Sequence, residues 1–119
     1  MRHIKESEIS WTSEKGYRRG VLLPFGNGMF FDVQSQITEI SPGEKVLEHR
    51  HLKQTEFIYI IEGSCTFLIN GKKIVGEKGD QIIILPKELH STENANDLTC
   101  RFFTVKINGN THDTIWGRD

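Results

Sequence analysis

Short runs of apolar and β-branched residues alternate with turn residues along most of the chain. These runs are rich in Val, Ile, Phe, Thr and Tyr, which favour extended structure, and glycines and prolines separate them. No segment keeps a helical period, so the pattern predicts an all-β sandwich or barrel, formed as one domain over residues 1–119. The predicted strands are Met29–Ile40 (as one strand or two staggered ones), Val46–His51, Glu56–Glu62, Cys65–Ile69, Lys72–Val75, Asp80–Leu85, His90–Glu93 and Leu98–Ile107.

Turn chemistry supports several of these boundaries. Asn70-Gly71 supplies the two positive-φ residues of a type I′ hairpin turn, and Ser41-Pro42-Gly43 predicts a turn between strands. The first dozen residues and the tail 108–119 are polar and are expected to be loose. Trp11 and Trp116 are the exceptions, because we expect them to pack against the barrel or against a partner subunit.

Two runs are apolar at every position, namely Phe57–Ile61 and Ile82–Leu85. Strands of this kind are covered on both faces. The inner face would form the core of the barrel, and a second copy of the chain would cover the outer face. The sequence therefore predicts a homodimer.

Composition narrows the choice of partners. The formal net charge is -1 and 26% of the residues are charged, whereas nucleic acids and anionic membranes require a concentrated basic surface. The N-terminus has no apolar stretch, which favours a cytoplasmic protein.

Cys65 and Cys100 each lie in a predicted strand and are expected to be reduced, partly buried thiols, with a disulfide as the alternative. The basic run Lys15–Arg19 predicts a solvated turn or strand edge, with an anion site as the alternative.

One triplet carries candidate chemistry. In His49-Arg50-His51 the two histidines are two positions apart, so on a strand both imidazoles leave the same face and Arg50 leaves the other. Glu56 opens the next strand, and a tight turn would return it beside the histidines. His90 begins a later strand, shortly after a proline.

Three imidazoles and one carboxylate form a mixed nitrogen and oxygen shell. That shell suits one divalent ion, which could be iron, manganese, nickel, cobalt, copper or zinc. In an octahedral arrangement it would leave two positions open for a bidentate substrate, or for a substrate and dioxygen. His3 and His112 lie in polar terminal segments and are expected to be solvated.

The spacing of these residues resembles the cupin superfamily. The segment Gly43–Gly63 reproduces the first cupin motif, G-x5-H-x-H-x4-E-x6-G, without a gap. The second motif, G-x5-P-x-G-x2-H-x3-N, is matched by Gly79, His90 and Asn94. Leu85 stands at its proline position and Lys87 at its inner glycine position, so the departures fall in the turn before His90.

The resemblance implies an antiparallel jelly-roll β-barrel, the double-stranded β-helix, with the metal inside. It implies that His49, His51, Glu56 and His90 are the metal ligands and that Asn94 supports the fold without binding the ion. The matching motifs cover residues 43–94.

The pocket around these ligands is less determined by the sequence. If the ligands face inward, alternation places Ile58 and Ile60 on the same inner face. The remaining candidates share a position on a predicted strand whose facing is ambiguous, and they are Phe31, Gln34, Gln36, Tyr59, Phe67, Arg101 and Phe103. An inward arginine would favour a carboxylate substrate, although a surface position is the more common role of such a residue.

Two functional hypotheses follow from this shell. The first is a metal-dependent enzyme, such as a dioxygenase, decarboxylase or isomerase, acting on a small oxygen-rich molecule chelated to the ion. The second is a non-catalytic cupin that binds or senses a small ligand with the help of the metal. A structural or storage role is the third and weakest alternative, because the shell is complete.

Overall fold

The strands of this chain are short and follow one another closely. In a computed structural model, residues 1–117 are described, and they form eleven strands and one 3-10 helix of three residues, Glu6–Glu8. The strands are β1 (Trp11–Glu14), β2 (Tyr17–Leu23), β3 (Val33–Ile40), β4 (Lys45–His51), β5 (Thr55–Glu62), β6 (Ser64–Ile69), β7 (Lys72–Glu77), β8 (Gln81–Ile84), β9 (His90–Glu93), β10 (Cys100–Ile107) and β11 (Thr114–Trp116). The single helix among residues 1–117 is far too short to cross a membrane.

These strands form two antiparallel sheets that face each other. The six-stranded sheet has the order β1-β2-β3-β10-β5-β8, and the five-stranded sheet has the order β11-β4-β9-β6-β7. Within the described residues, no strand of one sheet pairs with a strand of the other, so the jelly roll has open edges. The all-β antiparallel prediction is confirmed.

The N-terminal half differs from the predicted pattern in two places. Strand β3 begins at Val33, because the side chain of Asn27 accepts hydrogen bonds from the backbone N–H groups of Met29 (2.9 Å) and Phe30 (3.0 Å) and holds them in a turn. Strands β1 and β2 form a hairpin that the polar sequence did not reveal.

The turn of that hairpin contains Gly16, with a φ of +86°. A Cβ there would lie 1.8 Å from the backbone oxygen of Lys45, so only glycine permits this approach to β4. Lys15 lies in the turn of the hairpin, and Arg18 and Arg19 lie on β2, which pairs with β1 on one side and β3 on the other. Arg18 pairs with Glu39 (3.6 Å) and Arg19 with Glu14 (3.5 Å), so both arginines have acidic partners.

The space between the sheets is apolar at one end and polar at the other. The apolar end includes both cysteines, which are free thiols as predicted. Its buried core residues are Ile40, Val46, Ile58, Ile60, Cys65, Phe67, Ile69, Ile82, Ile84, Cys100 and Phe102. At the polar end, the buried side chains are Gln34, Gln36, Thr38, His49, His51, Gln54, Glu56, His90, Thr92 and Thr104.

Asn94 holds the end of β9 to the turn between β3 and β4. Its side-chain amide donates to the backbone oxygens of Ile40 and Leu98, both at 2.8 Å. Its own backbone bonds Gly43 (2.8 Å) and Glu44 (3.0 Å). The side chain is 1% exposed, so these bonds replace water that it cannot reach. Asn94 therefore supports the fold, as the motif implied.

The positive-φ turns agree with the sequence motifs, including one motif position that departs from glycine. Asn70 and Gly71 have φ values of +49° and +81° and join β6 to β7, as predicted. Lys87 stands where the cupin motif has glycine, yet it adopts a φ of +70°. Its backbone N–H donates to the oxygen of His51 at 2.7 Å, which ties this turn to a predicted metal ligand.

Replacing Lys87 with glycine should stabilise the protein. A side chain in the left-handed region costs about 1–2 kcal/mol, and the entropy of a more flexible unfolded chain offsets part of that gain. We expect Lys87→Gly to raise the free energy of unfolding by up to about 1 kcal/mol, or the melting temperature by about 2–5 °C.

The matched control is Lys78→Gly, an exposed turn residue whose φ is not positive. At this position glycine relieves no strain and only increases the conformational entropy lost on folding. Lys78→Gly should therefore lower the melting temperature. Equal melting shifts for the two variants would contradict the strain at Lys87.

Candidate metal centre

Three histidines from two adjacent strands meet at the polar end of the interior. His49 and His51 lie on β4, and His90 opens β9 directly opposite His49. The pairing of β4 with β9 is irregular between Val46 and His49, so both of these residues face inward although they are three positions apart. Ring centroids of His49 and His90 are 4.2 Å apart, and those of His51 lie 5.2 and 5.5 Å from them.

The Nδ1 atom of each ring is held by the protein. His49 Nδ1 donates to the backbone oxygen of Leu47 at 2.7 Å, and His90 Nδ1 donates to that of Glu88 at 2.8 Å. A carbonyl oxygen only accepts, so Nδ1 carries the proton and Nε2 presents its lone pair. His51 Nδ1 lies 3.1 Å from the hydroxyl of Thr114. Anchoring of this kind is typical of histidines that bind a metal.

The geometry of the donor set fits a single ion. One nitrogen from each histidine lies within 4.8 Å of the others, which positions the three rings to hold a metal ion. Nε2 of His51 and of His90 are buried and find no hydrogen-bond partner in residues 1–117. Glu56 Oε1 lies 3.1 Å from His51 Nε2, and Oε2 lies 3.9 Å from His90 Nε2. The carboxylate of Glu56 therefore lies beside the three imidazoles.

Burial and charge keep these groups in the protonation states that a metal requires. Burial, assisted by the nearby His90, lowers the pKa of His49 to about 4, and burial also lowers the pKa of His90. Burial alone would raise the pKa of Glu56. Its contact with His51 and the charge of Lys106 outweigh that effect and lower the pKa. His49 and His90 are therefore neutral and the carboxylate of Glu56 is ionised near neutral pH.

Neighbouring side chains orient the carboxylate and the turn before it. Gln54 is 2% exposed and donates from its amide to Glu56 Oε1 at 2.9 Å. Asp113 accepts the backbone N–H groups of Lys53 (3.0 Å) and Gln54 (2.9 Å) through one carboxylate oxygen. The segment that enters β11 therefore closes the turn between β4 and β5.

Strand β11 also supports two of the histidines. It pairs with β4 so that Thr114 lies opposite His51 and Trp116 lies opposite His49. The Trp116 ring is 4.6 Å from the His49 ring. The tail was expected to be loose apart from Trp116, but it forms this strand because β4 would otherwise present an edge without a partner.

A cavity of about 60 Å³ adjoins the predicted ligands. Its polar lining includes Gln36, Thr38, Thr92, Thr104 and Lys106, and its apolar lining includes Ile58 and Phe102. On β3 the amide of Gln34 donates to Gln36 (3.0 Å), whose amide donates to the Thr38 hydroxyl (3.1 Å). This ladder satisfies buried amides along one wall of the cavity.

The seven pocket candidates divide between the two faces of the sheets. Gln36 lines the cavity, Gln34 is buried next to it, and Phe67 is buried in the apolar core. Phe31 is 81% exposed and Tyr59 is 51% exposed, so both lie outside the cavity.

Arg101 and Phe103 also lie outside. They alternate along β10 with Phe102 and Thr104, whose side chains line the cavity. Nη2 of Arg101 lies 4.0 Å from Glu6 Oε1, so this arginine lies at the surface. It is therefore not an inward arginine that could bind a carboxylate substrate in the cavity.

Sequence reasoning did not find several lining residues, namely Tyr17, Thr38, Thr92, Phe102, Thr104 and Lys106. Lys106 lies directly opposite Glu56 on the neighbouring strand, and Tyr17 reaches the cavity from the N-terminal hairpin. Alternation along β10 would have placed Lys106 on the inner face, together with Phe102 and Thr104. No local signal identifies Tyr17, because the hairpin that carries it docks through contacts distant in sequence.

The metal-free protein should lose stability as the pH falls from 6.5 towards 4. His49 binds its proton at about pH 4 when folded but near 6.5 when unfolded, so the unfolded chain takes up more protons in that window. We expect His49 to account for a loss of about 2 kcal/mol between pH 7.5 and pH 5.

Urea denaturation of the metal-free wild type and of His49→Gln at both pH values checks this. The stability difference between the two proteins should shrink at the lower pH, whereas His112→Gln, at an exposed turn position, should follow the wild type. A difference that does not depend on pH would show that His49 is not buried in its neutral form.

The sequence of this chain is similar to those of known proteins. Over 86 residues, which are 72% of this chain, it is 30% identical to the tetracenomycin polyketide synthase protein TcmJ of Streptomyces glaucescens. Over 69 residues, 58% of this chain, it is 33% identical to an oxalate-binding protein of Thermotoga maritima. In each case the chain spans 57% of the length of the relative.

The fold is also shared with solved structures. The crystal structure of a predicted oxalate decarboxylase from Thermotoga maritima superimposes with a TM-score of 0.82 at 25% identity, covering 90% of this chain and 99% of that one. The cupin domain family matches residues 36–106, which is more than half of the sequence and includes all four predicted ligands. The chain therefore belongs to the cupin domain family.

Proposed function

We propose that this chain is a metal-dependent enzyme that acts on a small, oxygen-rich molecule held at the ion. The observation that carries the proposal is the set of three buried imidazoles, each of which brings one ring nitrogen within 4.8 Å of the others. Nδ1 of His49 and of His90 is bonded to a backbone oxygen, and Glu56 lies beside His51. His49, His51, Glu56 and His90 would hold one divalent ion, which could be iron, manganese, nickel, cobalt, copper or zinc. Such an ion supplies a Lewis acid that polarises oxygen atoms of the substrate.

The charges around the cavity favour an anionic substrate. Imidazoles bind a metal as neutral groups, so three of them with one carboxylate and the ammonium of Lys106 would leave the positive charge of a divalent ion uncompensated. Burial lowers the pKa of Lys106, but the adjacent Glu56 carboxylate favours its charged form. A carboxylate or enolate oxygen would neutralise this charge, and a buried site favours such pairing. The oxalate-binding relative is consistent with a ligand of this type.

The lining residues would orient the substrate and limit its size. The hydroxyls of Thr38, Thr92 and Thr104 offer hydrogen bonds to substrate oxygens, while Ile58 and Phe102 exclude water from the apolar side. Because a water molecule needs about 10–15 Å³ of such space, the cavity admits about four to six non-hydrogen atoms.

A non-catalytic cupin that binds a small ligand through the metal is the second candidate. The relative named as an oxalate-binding protein favours it. The homodimer also stays a prediction. It is supported by the exposed apolar residues Tyr59, Ile83 and Leu85, at or next to outward positions of the six-stranded sheet, and sedimentation of the purified protein would test it.

Turnover separates the enzyme from the binding protein. The protein should be loaded with iron(II), manganese(II) or zinc(II) and offered diketones, catechols, thiols and dicarboxylates, with dioxygen uptake and product formation as readouts. We expect turnover in the wild type. The turnover rate should fall at least about 100-fold in His51→Ala and in Glu56→Ala, because each variant removes a group that would bind the metal.

The matched control is Glu62→Ala, an exposed glutamate on the same strand as Glu56, which should retain full activity. Tight ligand binding without turnover under any metal would reject the enzyme in favour of the binding protein. A protein that binds no ion at micromolar concentration would reject both.

Removing the metal should leave the fold intact. A chain of 119 residues with this apolar core buries enough surface to fold alone. We expect the chelated protein to unfold in one cooperative thermal transition, at a lower temperature than the loaded protein by linkage. Loss of cooperative unfolding after chelation would show that the ion is structural.

A further inference from the structure

A second cavity lies at an edge where the two sheets do not pair. Its volume is about 510 Å³. One wall is the β1–β2 hairpin, and the other wall is formed by β4 and β11. We call it the edge cleft, and its main lining residues are Glu14, Lys15, Tyr17, Leu47, Glu48 and Trp116.

The surface of the edge cleft is apolar in spite of its exposure. Leu47 is 39% exposed and Trp116 is 53% exposed, and both face the cleft. Tyr17, on the opposite wall, is half-buried and packs against the core. Large apolar side chains gathered in an exposed concave surface are typical of ligand sites. Exposed apolar residues without such a role are usually scattered singly over the surface.

The edge cleft adjoins the candidate metal centre. Tyr17 lines both the cleft and the small polar cavity. Trp116 contacts the ring of His49, and the backbone oxygen of Leu47 accepts the Nδ1 proton of the same histidine. A molecule in the cleft therefore lies next to a predicted metal ligand.

The sizes of the two spaces are complementary. The polar cavity admits only about four to six non-hydrogen atoms, which is enough for a pair of oxygens and the carbons that carry them. A larger ligand must extend beyond this cavity, and Tyr17 is the lining residue that the cavity shares with the edge cleft. The volume of the edge cleft falls within the range usual for small-molecule pockets, about 300–1,000 Å³.

We propose that the edge cleft binds the planar aromatic body of a ligand whose vicinal oxygen atoms reach the metal centre. This inference rests on the proposed function and defines the class of its substrate. The aromatic walls Trp116 and Tyr17 favour stacking of a flat ring system over a flexible chain. The concave shape and the volume of the cleft fit a small molecule, whereas a stable protein partner covers a broad surface of about 800 Å² on each side.

Two diols with the same chelating group test the proposal. Catechol has one ring and 2,3-dihydroxynaphthalene has a second ring that would enter the edge cleft. Titration calorimetry without oxygen, on zinc-loaded protein, gives both affinities without turnover. We expect the naphthalene diol to bind at least about tenfold more tightly, because its second ring buries apolar surface.

Leu47→Gln is the informative variant and Leu52→Gln is its matched control. Both leucines flank the histidines of β4, with 39% and 43% of their surface exposed, but only Leu47 lines the cleft. Leu47→Gln should lower the preference for the naphthalene diol at least about threefold, and catechol affinity and zinc content should not change. Leu52→Gln should keep the full preference.

Fluorescence gives a second readout that does not depend on the metal. In Trp11→Phe the emission comes from Trp116, and we expect 2,3-dihydroxynaphthalene to quench it more strongly than catechol.

Each outcome bears on one claim. Equal affinities of zinc-loaded protein for the two diols, or a full preference retained in Leu47→Gln, would overturn the edge cleft as a subsite and leave the metal centre standing. A protein that binds no zinc would overturn the proposed function, and quenching of Trp116 would still decide the cleft. A change of oligomeric state in Leu47→Gln with unchanged diol affinities would identify the cleft as a contact between copies and overturn the proposal.

Discussion

Buried polar groups must find partners, and this constraint organises the half of the interior that contains the candidate metal centre. A jelly roll filled with apolar side chains would need no such arrangement, as the end containing Phe67 shows. At the other end each predicted ligand is held by another group: His49 and His90 by backbone oxygens, His51 by Thr114 and Glu56 by Gln54. These contacts fix the rings and the carboxylate before any ion arrives, so less ordering is required when one binds.

The same constraint explains how distant parts of the chain contribute to one site. The β4–β5 turn is closed by Asp113, and the turn before His90 is bonded to the backbone of His51 through Lys87. A single irregularity in the pairing of β4 lets Val46 face the apolar core while His49 faces the polar cavity. The site therefore depends on register and turn geometry as much as on the identity of its ligands.

The sequence predicted the parts of the structure that strand parity and turn chemistry control. The shared facing of His49 and His51 and the hairpin at Asn70-Gly71 follow from local rules. The strands of the core were found with boundary shifts of one or two residues, apart from β3, where the Asn27 turn replaces part of the predicted strand. Tyr59 and Phe103 could not be assigned to a face by hydrophobicity, because their strands are apolar on both sides. Lys106 resembles a surface charge until its pairing with the Glu56 strand is known.

Strand β11 has a consequence for kinetics. It is three residues long, it lies at the edge of its sheet, and it carries both Thr114 and Trp116 against the histidines. Short edge strands open more readily than central ones, with free energies far below that of global unfolding. Each opening releases the contacts that hold His51 and His49 in place. Exchange of a bound ion with solvent would then follow the same fluctuation as hydrogen exchange of the β11 amides, so the residence time of the ion would depend on the stability of this short edge strand.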